Sequence, residues 1–269
     1  MPFLLIRGRF LPKRGQPDGD SVRFTPDDTS LFDRLEEMAH RRLKTSTDAS
    51  GTVSVQLRYE GIDAMEKDAL PDLPQQALDN NKKLIGFREG SVEEPPGYVL
   101  ASGIEKNGRP IVFVFPGEPD QDDGEMVFLS AAFSRKSVNY AQAKAGLAYP
   151  MFYMSLYAEL RKEFASAVVQ ARQVQRGVWA ADRSNSGFPF KTRAAVKTLP
   201  PIYPKLYRRL QKTNATTVDG FLAELEQQAE RVATLSDGRF LNFNDVVKPM
   251  AGNKLKLTYL PEDVVFQEG

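Results

Sequence analysis

Arg58, Asp63 and Glu66 bring one guanidinium and two carboxylates together over a short stretch of chain. Two neighbouring carboxylates repel each other, and a metal ion or an arginine-bound phosphate is the usual way to balance them. Val55, Leu57 and Tyr59 alternate with polar neighbours, which predicts a half-buried strand that exposes Arg58 and turns at Gly61. Asp18-Gly19-Asp20-Ser21 lies upstream and Asn107-Gly108-Arg109 downstream. Taken alone, the first reads as a tight hairpin turn and Arg109 as a solvated arginine after a turn.

Taken in order, these motifs resemble the active site of the staphylococcal nuclease family. There a strand supplies an arginine, a metal-binding aspartate follows five residues later, and a glutamate three after that. An Asp-Gly-Asp turn supplies another ligand, and a second arginine starts a later strand. Arg58, Asp63, Glu66, Asp20 and Arg109 fill those places. The resemblance runs over roughly residues 3–182 and implies an α+β protein: a five-stranded OB-fold β-barrel with packed helices. Within it Ala145-Gly146-Leu147-Ala148 is similar to the segment after the family's second helix, and Gly177-Val178-Trp179 to its terminal tryptophan segment.

The implied activity is metal-dependent hydrolysis of DNA or RNA on the 5′-oxygen side, leaving 3′-phosphates. By resemblance Asp20, Asp63 and the backbone carbonyl of Ala64 hold calcium, with magnesium or manganese as substitutes; hard oxygen ligands suit all three ions. Glu66 is the general base or positions the attacking water. Arg58 and Arg109 clamp the phosphate, where planar forks serve better than lysine. The chain departs from the family at several points. Ala64-Met65 stands where the family has Thr-Pro, Asn107 replaces a base-contacting tyrosine, and Phe152 and Met154 replace a tyrosine pair. Tyr149 and Tyr153 are the nearest substitutes.

Composition narrows the setting. Of 269 residues 41% are hydrophobic, ordinary for a globular chain. Zero cysteines exclude disulfides and thiolate metal sites, and a single histidine, His40, excludes zinc sites built on paired histidines. The apolar run at Phe3–Ile6 is short for a signal peptide and no segment approaches a membrane span, so the expectation is a cytoplasmic protein without membrane contact. The net charge is +1, yet Arg183 to Lys212 holds eight basic residues and no acidic one. Phe188, Phe190, Tyr203 and Tyr207 are interleaved with them. The run reads either as a nucleic-acid track, with Arg193, Lys205, Arg208 and Arg209 on phosphates, or as a solvated linker whose aromatics pack inward.

The periodicities set the expected elements. Strands are expected at Phe3–Phe10, Val22–Phe24, Tyr98–Ile104 and Ile111–Phe115, and helices at Leu73–Ile85 and Val138–Ala145. A long helix capped by Ser155 is expected through Arg176. Thr25 to Ser50 reads as a helical insertion in the early hairpin, with Arg41, Arg42 and Lys44 near the end of its helix. Residues 1–182 then form the nuclease-like domain, and 183–269 a basic linker and C-terminal α/β accessory region with a helix at Val218–Ala233. The alternative function is a catalytically weak or inactive nuclease-like module that binds nucleic acid or a protein partner. Degeneration of that kind removes acids and arginines first, and here they remain. A cytoplasmic nuclease must spare the cell's own nucleic acid, so a regulatory protein partner is also expected.

Overall fold

The structure is a computed structural model that describes residues 2–68, 72–90 and 94–268. The chain divides into two compact units, Met1–Glu60 with Gln75–Gln142 and Gly61–Pro74 with Ala143–Gly269. Helices and several sheets are mixed, in agreement with the expected α+β class.

In the first unit, β1 (Phe3–Phe10) carries Phe3, Leu4, Leu5 and Ile6 all buried, so both of its faces are covered. It pairs antiparallel with β2 (Arg23–Pro26), Gly8 opposite Pro26. Only glycine fits at position 8: a Cβ there would stand 2.1 Å from the Thr25 carbonyl oxygen. The expected insertion contains α1 (Ser30–Ala39), which buries Leu31, Phe32 and Leu35. Arg41, Arg42 and Lys44 do not sit in its last turn, because the helix stops at Ala39 and the chain turns left-handed at His40, φ 49°. Arg42 instead ion-pairs with Glu36. The insertion also supplies β3 (Thr45–Thr47), a strand the periodicity did not announce, paired with β4 (Val53–Gln56).

After Leu57 comes β5 (Arg58–Tyr59), then β6 (Gly61–Asp63), which opens the second unit; Gly61 turns there at φ +79°. Helix α2 (Leu73–Leu84) and strands β7 (Pro96–Ile104), β8 (Pro110–Pro116) and β9 (Met126–Val127) follow, then α3 (Ala131–Ser134) and α4 (Val138–Lys144). The sheet runs β3-β4-β2-β1-β7-β8-β5, with β9 also on β1. Its β5·β8 pair is parallel, Arg58 opposite Ile111. Since β4 and β5 are separated by Leu57 alone, the stretch Val53–Tyr59 pairs with β2 at one end and β8 at the other.

In the second unit, β10 (Tyr149–Tyr153) pairs with β6, Tyr149 opposite Asp63. The long helix is α5 (Ala158–Gln173), burying Leu160, Phe164, Ala167, Val168 and Ala171. Ser155 is not its cap: the residue at the cap position is Tyr157, whose side chain does not cap the helix, and the Ser155 N–H donates to Glu268 Oε1 at 2.9 Å. A 3-10 turn at Gly177–Ala180 buries Trp179. Past β11 (Phe188–Pro189), the basic run contains a helix, α6 (Pro204–Lys212), with Pro204 in its first turn where a missing N–H costs nothing. Helix α7 (Val218–Gln227) is shorter than expected, since Ala229 adopts φ 47° and Val232 lies in β12 (Arg231–Thr234). Then come β13 (Phe240–Asn242), α8 (Phe243–Val246), β14 (Val247–Met250), β15 (Lys254–Leu257) and β16 (Val264–Phe266). The strand orders are β13-β12-β16-β10-β6 and β11-β15-β14. No helix among the described residues is long and apolar enough to cross a membrane.

Candidate functional site

Asp20 lies in a turn that a buried amide network ties to the neighbouring strands. The Asp18 N–H donates to the Ser21 carbonyl at 3.1 Å, and the Asp20 N–H to Asp18 Oδ1 at 3.2 Å. Asn81 on α2 donates to the carbonyls of Asp18 (2.6 Å) and Ser21 (3.3 Å) and accepts from the Tyr59 hydroxyl at 2.9 Å. The Tyr59 N–H donates to the Asp20 carbonyl at 3.0 Å. Burial holds the Tyr59 hydroxyl far above the usual phenol range, so it acts as a fixed donor. Gln142 adds a bond to the Gly19 carbonyl at 2.6 Å.

Arg58 immediately precedes Tyr59, and Arg109 stands two residues before Ile111, the register partner of Arg58. The first unit therefore gathers Asp20, Arg58 and Arg109 on adjoining backbone. Arg109 Nε donates to Glu105 Oε1 at 3.0 Å. Burial opposes ionisation of Glu105, but Arg109 and Asn107 outweigh it and hold the carboxyl below the usual range. Asn139 fixes the adjoining backbone from the other side: its amide donates to Glu60 O (3.0 Å) and Val112 O (2.9 Å), and accepts from the Val114 N–H (2.9 Å).

Asp63, Ala64 and Glu66 belong to the second unit, where Asp63 and Ala64 are buried. Asp63 faces an arginine. Arg208 on α6 donates from Nη1 to Asp63 Oδ1 at 2.9 Å and from Nη2 to Oδ2 at 2.5 Å, and Nη1 also reaches Glu66 Oε1 at 3.1 Å. Burial works against the guanidinium's charge, yet the two carboxylates hold it more firmly protonated than a free arginine. The same helix holds Asp68 through the Tyr207 hydroxyl at 3.3 Å and Gln211 Nε2 at 3.1 Å.

Three more cations of the basic run have acid partners within the unit. Lys205 and Arg209 both meet Glu230, at 2.5 and 2.8 Å, and Lys197 lies 3.5 Å from Asp68. Arg193 is exposed. Phe188, Phe190, Tyr203 and Tyr207 are buried, which agrees with the inward-packed alternative and leaves none of the four faces open for base stacking. Tyr149 is buried too, its hydroxyl donating to Asp182 Oδ1 at 2.8 Å, while Tyr153 is half-buried.

Calcium would need the carboxylate oxygens that Arg208 now engages. Among the described residues no three His, Cys, Asp or Glu side chains cluster closely enough to hold a metal ion. Arg208 is seated on both Asp63 oxygens and on one oxygen of Glu66. Sequence reasoning named Arg208 but gave it to phosphate. The prolines at 200, 201 and 204 masked α6, although Leu206 and Leu210 at helical spacing were a usable signal. Comparison with known protein families and with curated proteins gives no match for this chain.

Proposed function

We propose that the chain is a nuclease of the staphylococcal type, hydrolysing phosphodiester bonds of DNA or RNA. The observation that carries this reading is the adjoining backbone of Asp20 in its turn, Arg58 in β5 and Arg109 just before β8, with Asp63 and Glu66 following on the chain from Arg58. The pairing order supports the OB-fold part of the reading. Strands β1, β2, β4/β5, β7 and β8 pair so that the third and fifth are parallel and the fourth returns to the first, the order a five-stranded OB barrel requires.

In this reading Arg58 and Arg109 clamp phosphate oxygens and stabilise charge that builds in the transition state. Glu66 takes the proton of the attacking water. Calcium, with magnesium or manganese as substitutes, enters through the resemblance alone. The second reading is a nuclease-like module that binds nucleic acid or a protein partner without cutting, and the Arg208 contact to Asp63 and Glu66 favours it.

The test is cleavage of single- and double-stranded DNA and of RNA with calcium, magnesium, manganese or chelator, by wild type, Arg58→Ala and Glu66→Ala. Metal-dependent cleavage lost in both variants is the expected result. Nucleic-acid binding without cleavage moves the assignment to the second reading.

A further inference from the structure

Two carboxylates that share one arginine have their charge balanced from within the chain. Arg208 makes three contacts of 3.1 Å or less to Asp63 and Glu66, two of them in the parallel fork that suits a carboxylate best. The arginine is not a loose surface side chain. Its helix buries Leu206, Tyr207 and Leu210, and Tyr207 and Gln211 bind Asp68, two residues beyond Glu66. The neighbouring cations Lys205 and Arg209 are engaged with Glu230, while Arg208 contacts these acids directly.

We propose that Arg208 is the resident cation of the Asp63–Glu66 pair, and that α6 thereby governs whether those carboxylates are open to a divalent ion. The proposal rests on the nuclease reading for its consequence, the control of cleavage, but not for the contact itself. A guanidinium and a divalent ion compete for the same oxygens, and a competitor built into the chain is present at a high effective concentration. With 32% of its side chain exposed, Arg208 is reachable from solvent. A polyanion can therefore draw it away: a phosphodiester offers the same planar fork a partner of equal charge. Nucleic acid itself would then free the acids, which gives a nuclease a means of staying silent without substrate.

The experiment is manganese binding to the full chain, followed by the paramagnetic signal of the free ion, with calcium binding by calorimetry in parallel. Wild type, Arg208→Gln, Arg208→Lys and the double variant Arg208→Gln/Asp63→Asn are compared after circular dichroism has confirmed folding. Arg208→Gln is expected to bind manganese about tenfold more tightly than wild type, or better, a change of about 1.4 kcal/mol. Arg208→Lys, which keeps a cation there, should gain less, and the double variant should lose the gain. Equal affinity in wild type and Arg208→Gln, or a gain that survives Asp63→Asn, overturns the proposal. If Arg208→Gln does not fold, wild type against Asp63→Asn decides: equally weak binding supports the proposal and tighter binding by wild type overturns it. Metal gained by Arg208→Gln without any cleavage would sink the nuclease reading alone. A wild type that cleaves, and that without nucleic acid binds manganese through Asp63 as tightly as Arg208→Gln does, would sink this proposal alone.

Discussion

Arg208 and Asp63 lie 145 positions apart in the chain and meet fork to fork, Nη1 to Oδ1 at 2.9 Å and Nη2 to Oδ2 at 2.5 Å. The contact joins the segment that carries the conspicuous acids to the segment that carries the conspicuous run of basic residues. It changes what each is expected to do, because each has the other as its counter-charge.

Asp63→Asn leaves the guanidinium with Glu66 alone and removes a charge-assisted pair. The variant is expected to lose about 1–3 kcal/mol of stability, measured by urea unfolding at neutral pH. The value should sit at the low end of that range, since Arg208 keeps water contact. An unchanged midpoint would mean that the pair does not hold the two segments together.

Asn81→Ala should loosen the turn that carries Asp20. The amide is buried and satisfies two carbonyls of that turn while accepting from Tyr59, so its removal strands three polar groups. The expected cost is about 1–3 kcal/mol or more in chemical denaturation. If the nuclease reading holds, cleavage should fall as well, whereas the affinity of the Asp63–Glu66 segment for metal should not change.

Lys205 gives a pH dependence with a defined sign. Burial lowers its pKa from 10.5 to about 8, only partly countered by Glu230. Between about pH 8 and 10.5 the unfolded chain holds the proton that the folded chain has released, so this group makes stability rise with pH across that window. The buried hydroxyls of Tyr149 and Tyr203, pushed well above 10, act in the opposite direction at higher pH. The comparison belongs below that range. The rise between about pH 8 and 9.5 should be present in wild type and absent in Lys205→Met.

Tyr149 was the sequence's substitute for a nucleic-acid contact, and its burial assigns it a packing role. Its hydroxyl bonds Asp182, a carboxyl that burial raises above the usual range despite bonds from Ser184 and Tyr149. Tyr149→Phe is expected to cost about 1–3 kcal/mol of stability, read by urea unfolding. Loss of nucleic-acid affinity with unchanged stability would contradict that role.

The inserted helix is a part of the first unit's core. Leu35 is fully buried and Arg34 donates to the Gly124 carbonyl at 2.5 Å. Leu35→Ala should therefore destabilise by about 2–5 kcal/mol, as a core truncation does. A change below 1 kcal/mol, about the effect of a surface site, would show the insertion to be a separable attachment.

Much of the first unit was legible because its main strands are largely apolar runs bounded by turn residues. Phe3–Phe10 and the 98–115 hairpin could be placed from residue pattern, and Gly61 marked its own turn. The boundaries that failed did so for local reasons. Ser155 looked like a helix cap, but the residue that enters the helix is Tyr157, and the Ser155 amide is taken by Glu268. Val232 continued a helical stripe, yet a left-handed Ala229 redirects it into a strand. The acids and arginines of the candidate site were visible as residue types at informative spacing. The partner of Asp63 was not, because the charge that balances it lies on a helix hidden among prolines far along the chain. Asn81, Gln142 and Asn139, which fix the candidate residues through backbone bonds, carry no spacing signal at all.

The most direct test of the account is the manganese concentration that gives half-maximal cleavage of single-stranded DNA, compared between wild type and Arg208→Gln. The account predicts cleavage by both, lost with chelator and on adding Glu66→Ala. It also predicts that Arg208→Gln will need about tenfold less metal than wild type, or lower still. The same metal dependence in both proteins, or no cleavage by a folded Arg208→Gln, would contradict it.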